Sequence, residues 1–197
     1  MKPAKKRIWV FAALFFSIVA LTALLLHLNQ RPEPVVFAFL TKLYTVEDPA
    51  LVSELYEKVE LEIQQKMDQD GAQGVVTLKG SEDPLYVYYS MQYGSMCTKD
   101  GFEKMIANRV FDQYGKIATR QNWKLEAGSV TLDPHPNTSN QFGYTVDVTV
   151  TDIATGTQKT VSQIGIILVK RTLLGYRVEA IRMQSTDLIN LQPKLTG

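Results

Sequence analysis

Apolar and polar positions divide the chain into three stretches of different rhythm. Ile8 to Leu28 is an almost unbroken apolar run, in which Ser17, Thr22 and His27 are the only polar residues. Coiled as a helix it spans roughly 30 Å, the thickness of a bilayer's hydrocarbon core. A helix satisfies its own backbone groups, which lipid requires. From Val35 to Arg109 the apolar positions recur at helical spacing. Val36, Phe39, Leu40, Leu43 and Tyr44 make one such set, and Leu51, Leu55, Val59, Ile63 and Met67 a second. Asp48 and Pro49 are a good N-cap and first residue for the second helix. A third helix is expected from about Asp100 to Arg109, where Asp100 and Glu103 have capping-box spacing. Its chain then continues, or breaks and resumes, through Val110 to Thr119. Between the second and third helices, Val75–Leu78 reads as a short strand. Leu85–Tyr93 reads equally as a strand or as a helix that aligns Tyr86, Tyr89 and Tyr93.

After Leu125 the rhythm changes to two. Leu125 to Leu132 reads as a strand, and Asp133 to Gly143 as a loop. Tyr144, Val146, Val148 and Val150 then alternate with Thr145, Asp147, Thr149 and Thr151, which predicts a strand with one dry and one wet face. Thr157 to Lys170 is a longer strand, apolar on both faces between Ile164 and Val169 and therefore central in its sheet. Tyr176 to Met183 is the last strand. The expected organisation is a basic tail (1–7), a transmembrane helix (8–28), a linker (29–34), a folded domain (35–187) and a polar tail (188–197).

Charge sets the orientation. Lys2, Lys5, Lys6 and Arg7 precede the apolar run, and no acid occurs before Glu33. Basic flanks stay in the cytoplasm, so the folded domain is expected outside it. A cleaved signal peptide is the rival reading. The leucines after Ala23 and the absence of a small-x-small site favour an uncleaved, single-pass anchor in the cell membrane. Setting those four cations aside leaves 17 basic against 20 acidic residues, with the signs interspersed. That balance gives no electrostatic footprint for nucleic acid. About 165 residues follow the run, enough for one core and too few for two.

Candidate chemistry is sparse. The single cysteine, Cys97, cannot form an internal disulfide and reads as a small buried hydrophobe. His135 stands alone in a Pro-flanked loop. No phosphate loop, HExxH or paired CxxC occurs, so no catalytic, metal or cofactor residues are assigned. Tyr86, Tyr89, Tyr93 and Arg109 are the candidates for lining a ligand pocket. For Arg109, the last residue of the expected third helix, a cap or bridge to the sheet is the competing role.

Helices followed by a meander of long strands imply an α+β domain, three helices packed on a curved antiparallel sheet. That order, with the long hairpin from Tyr144 to Val169, resembles the nuclear transport factor 2-like (NTF2-like) superfamily, a cone of helices wrapped by a bent sheet. Its members include isomerases, dehydratases, binding modules and scaffolds, so fold does not settle activity. With the basic tail and anchor, the architecture is similar to the VirB8-like components of conjugation and type IV secretion machines. The resemblance implies a non-catalytic scaffold that meets other membrane or envelope proteins. A homo-oligomer stays open. The alternative is a binding module for a small apolar ligand or cell-wall component inside the cone, and an isomerase-like enzyme is the remotest reading.

Overall fold

The computed structural model describes residues 31–70, 78, 80–184 and 187–191, together with Phe15. The expected anchor, 8–28, lies outside these residues apart from Phe15, and so does the expected strand at 75–78 apart from Leu78. Among the described residues no helix is long and apolar enough to cross a membrane.

Helix α1 (Glu33–Leu43) takes the last two residues of the expected linker into its first turn. Glu33 and Pro34 suit that turn, and Lys42 suits the last, because both charges oppose the helix dipole. Helix α2 (Pro49–Asp70) starts on the expected cap: Asp48 Oδ1 accepts from the Ala50 and Leu51 amides at 2.9 and 3.3 Å. Its buried face is rotated from the expected stripe. Val52 and Leu55 are buried and Tyr56 and Val59 pack beside them, whereas Leu51 is 41% exposed. A line of i to i+4 steps drifts around a helix of 3.6 residues per turn, so the stripe at Leu51 leaves the core. The i, i+3, i+4, i+7 set beginning at Val52 stays on it.

A 3₁₀ turn (Gly80–Glu82) leads into α3 (Pro84–Tyr93), which settles the ambiguous tyrosine-rich segment as a helix. Asp83 Oδ1 accepts from the Leu85 and Tyr86 amides at 2.8 and 3.3 Å, and Pro84 fills the first helical position. Helix α4 (Lys99–Ala107) is capped by Thr98, not by Asp100 as its spacing with Glu103 suggests. Thr98 Oγ1 accepts from the Gly101 amide at 3.0 Å, which leaves Asp100 in the first turn. The helix stops two residues before Arg109, whose φ of 56° is left-handed. A separate helix, α5 (Asp112–Gln121), then ends on Asn122 at φ 54°, a conformation that Asn tolerates.

Strands β1 (Trp123–Pro134), β2 (Gln141–Asp152), β3 (Gln158–Thr172) and β4 (Gly175–Met183) form one antiparallel sheet in chain order. The domain is therefore α+β. Strand β2 carries the expected alternation, with Phe142, Tyr144, Val146, Val148 and Val150 on the buried face. Strand β3 is internal, with Ile167 and Val169 buried, but Ile164 on its outer face is 45% exposed. Register shifts at Ala127/Val130 and Leu168/Val169 are bulges, which bend their strands. Helices α1, α4 and α5 lie against the sheet, while α2 and α3 form an outer layer on them. The expected polar tail begins with an exception: Leu188, in the short helix α6 (Asp187–Asn190), is fully buried beside β3.

Candidate functional site

The space between helices and sheet is filled by three tyrosines. Tyr44, one residue past α1, is fully buried. Its ring lies 4.6 Å from that of Tyr114 on α5, and its hydroxyl shares a 2.9 Å hydrogen bond with Tyr144 on β2. The Tyr114 hydroxyl donates to Met183 Sδ at 3.3 Å. Gly165 on β3 stands opposite Tyr144, and its missing side chain makes room for the Tyr144 hydroxyl. The interior between helices and sheet is thus core, with its phenols satisfied by each other and by sulfur.

A cavity lies instead among the helices. It is a groove of about 730 Å³, within the roughly 300–1,000 Å³ of small-molecule sites. Phe37 and Thr41 of α1 form one wall, Tyr89 and Tyr93 of α3 the other, and Leu51 and Val52 of α2 an end. Phe111 and Gly115 close its base. Tyr93 stacks on Phe111 at a centroid separation of 4.3 Å, with Phe39 edge-on to Tyr93 at 5.7 Å, so the walls are held by aromatic packing. Several of the polar groups at the groove are engaged. Lys42 Nζ donates to the Gln92 carbonyl at 3.2 Å and lies 5.9 Å from the Tyr93 centroid. The Tyr93 hydroxyl donates to the Lys42 carbonyl at 3.2 Å, and Asp48 is occupied in capping α2.

Of the four residues expected at a pocket, Tyr89 and Tyr93 line this groove. Tyr86 does not: its ring packs edge-on against Phe102 and its hydroxyl donates to Glu103 at 2.8 Å. Arg109 is also elsewhere. It is exposed and lies 3.6 Å from Asp112, a buried carboxylate that Lys116 approaches at 3.7 Å from the other side. Its bridge therefore runs to the next helix rather than to the sheet. Beside Asp112, the Tyr56 hydroxyl is buried without a hydrogen bond of ordinary geometry. Burial first, and that carboxylate second, push its phenol up.

Other side chains capable of chemistry stand apart. Asp147, on the outer face, accepts from Ser129 and Ser162 at 2.6 and 2.7 Å, and these bonds hold its carboxyl below the usual range. His135 is exposed in the β1–β2 loop. Glu126 is exposed on β1, and Glu179 pairs with Lys170 at 3.3 Å. Among the described residues no group of three His, Cys, Asp or Glu side chains is placed to hold a metal ion. Cys97 is buried, and burial pushes its thiol up to about 12.

Burial likewise raises the phenols of Tyr44, Tyr89, Tyr93 and Tyr144, and brings Tyr114 up to about 12. A group raised in the folded state contributes stability that is complete below its unfolded pKa and lost as pH rises through the folded one. For the phenols that loss begins above about pH 10, and for the thiol above about pH 9. In an alkaline titration, phenolate absorbance from these residues is expected to rise in one step with the loss of helical circular dichroism. A smooth titration of every tyrosine near its ordinary value, with the fold intact, would contradict this interior.

No protein-family model and no curated protein matches the chain. Two solved structures are similar to parts of it. Aln2 from a Streptomyces species is 17% identical, with a TM-score of 0.30 over 57% of this chain and 97% of that one. A structure described as a calcium/calmodulin dependent protein kinase II association domain, from Xanthomonas campestris, is 8% identical, with a TM-score of 0.26 over 61% of this chain and 94% of that one.

Proposed function

We propose that this chain is a membrane-anchored, extracytoplasmic interaction domain of NTF2-like architecture, acting without catalysis in an envelope assembly of the conjugation or secretion type. The observation that carries this reading is where the free space lies. The interior, where an enzyme of such a cone keeps its acid and base, holds the Tyr44–Tyr114–Tyr144 cluster. An open aromatic groove lies on the helical side, and its Lys42 and Asp48 are already bonded to backbone groups. A groove of that kind takes a partner's apolar side chains. An anchor beside the domain raises the effective concentration of membrane partners, so modest affinity suffices.

The test is crosslinking of the full-length chain in its native membranes, followed by pull-down, with Thr41→Trp as the comparison. Thr41 is exposed on the groove wall, so the indole fills the groove without entering the core. Discrete envelope partners with the parent chain, depleted with Thr41→Trp, support the reading. Partners captured equally by both chains would remove the groove from it, and no reproducible partner would end it.

The groove's volume favours a second reading, a binding module for a small apolar molecule or cell-wall component. The ligand then sits between α1 and α3 and not inside the cone. Saturable binding of an apolar fluorescent probe, abolished by Thr41→Trp, would put this reading first.

A further inference from the structure

Two of the most exposed large hydrophobic side chains among the described residues are neighbours. Leu173 is 94% and Leu174 80% exposed, and together they form the tip of the β3–β4 hairpin. The turn itself does not call for them. Its left-handed position is taken by Gly175 at φ 104°. Thr172 Oγ1 ties the turn by donating to the Gly175 carbonyl at 2.8 Å and accepting from the Leu174 amide at 3.2 Å. Positions of this kind are normally filled by Gly, Asn, Asp, Ser or Pro. Single exposed leucines are ordinary on protein surfaces, but an adjacent pair projecting from a tip is a concentrated apolar point.

Along the hairpin, the residues next to the tip carry one sign of charge. Lys170 and Arg171 precede it and Arg177 follows, with no acid between Lys170 and Arg177. The register pairs Lys170 with Arg177 and Arg171 with Tyr176, so cations lie on both faces of the hairpin. The Arg171 guanidinium stands 5.9 Å from the Tyr176 ring centroid. The nearest acid along the hairpin, Glu179, lies back from the tip and pairs with Lys170 at 3.3 Å. Asp133 and His135 reach the same end of the sheet, but on β1 and its loop, two strands away from β3.

We propose that this hairpin is a membrane-surface finger: Leu173 and Leu174 enter the acyl boundary of an anionic bilayer while Arg171 and Arg177 meet lipid phosphates. Tyr176 stands just behind the tip, at the depth where amphipathic rings settle in an interface. Long cationic side chains reach phosphates while an apolar neighbour is immersed. A protein partner needs roughly 800 Å² on each side for a stable interface, far more than two leucines offer. A bilayer needs only the tip. The proposal rests on the anchored reading for the tether that keeps the hairpin near a membrane.

The experiment uses the full chain with Leu174→Cys, labelled with nitrobenzoxadiazole and reconstituted into phosphatidylcholine vesicles with or without phosphatidylglycerol. Cys97 is buried and leaves the new thiol as the one that labels. Thr155→Cys is the control, exposed in the β2–β3 turn at the opposite end of the sheet. With anionic lipid, the label at 174 is expected to shift to the blue and to be quenched by doxyl lipids, while the label at 155 stays water-like. Arg171→Gln and Arg177→Gln are each expected to lower the ratio of seated to unseated tips about fivefold. A chain that floats with the vesicles but leaves 174 water-like overturns the finger and keeps the anchor. A blue shift without lipid quenching means burial against protein and also overturns it. A chain that is stripped from the vesicles by alkaline carbonate ends the anchored reading, and quenching at 174 before stripping then still supports the finger on its own.

Discussion

Tyr44→Ala is expected to cost the domain about 3–5 kcal/mol, the range for deleting a large buried aromatic side chain. That is a large part of the roughly 5–15 kcal/mol that holds such a domain folded. The ring is 0% exposed and touches a helix on one side and the sheet on the other, through Tyr114 and Tyr144. Its loss opens a cavity where α1 and α5 meet the sheet, and strands the Tyr144 hydroxyl without its 2.9 Å partner. Tyr44→Phe keeps the ring and removes only the hydroxyl, so about 1–3 kcal/mol is expected from the unsatisfied group left behind. Urea unfolding of the full chain in mild detergent, followed by circular dichroism, measures both. A loss below about 1 kcal/mol for the alanine variant, well under the cavity range, would mean that the interior is not packed as described.

Gly165→Ala is expected to destabilise by about 1–3 kcal/mol, as overpacking does in a filled core. A Cβ on this residue stands 2.5 Å from the Arg182 carbonyl oxygen and collides with the Tyr144 hydroxyl. The first obstacle is backbone of the adjoining strand and cannot rotate away. The second is the group that bonds to Tyr44. The double variant Gly165→Ala/Tyr144→Phe removes the colliding oxygen but leaves the carbonyl and the Tyr144 ring carbon, 2.6 Å away, so it is expected to cost less than the two single losses added together. Non-additivity of that sign in a double-mutant cycle ties the glycine to the tyrosine cluster. Strict additivity would place the strain entirely at the strand.

What the sequence discloses here is what short-range chemistry decides. The start of α2 is legible because Asp48 acts within three residues of itself. The alternation in β2 is legible because one face is dry for its whole length. Leu85–Tyr93 is ambiguous because Tyr and Val favour strands while their spacing also suits a helix; Asp83 and Pro84, just outside the segment, decide it. The cap of α4 is misplaced because two residues of capping type stand close together, and only Thr98 has the extended backbone that a cap needs. For the site, spacing within α3 puts Tyr89 and Tyr93 on one wall. It does not reveal that the helix changes neighbours along its length, with Phe102 beside Tyr86 and Phe39 beside Tyr93. Phe37, Thr41 and Phe111 complete the groove from distant parts of the chain, and no local pattern announces that they meet. Arg109 misleads because its charge suits a helix end, while its left-handed backbone turns it toward Asp112.

The sheet's connectivity also bears on how the chain reaches this state. Every strand pairs with its successor, so the sheet can zip from one hairpin to the next with little loop to close. The seam between α1 and the sheet is the opposite case, since Tyr44 and Tyr144 are 100 residues apart. During synthesis at about 5–20 residues per second, α1 emerges on the order of 5–20 seconds before the strand that covers it. For that interval Val36, Phe39 and Leu40 have no sheet to lie on, and the nascent chain is at its most aggregation-prone before the strands from Trp123 onward exist.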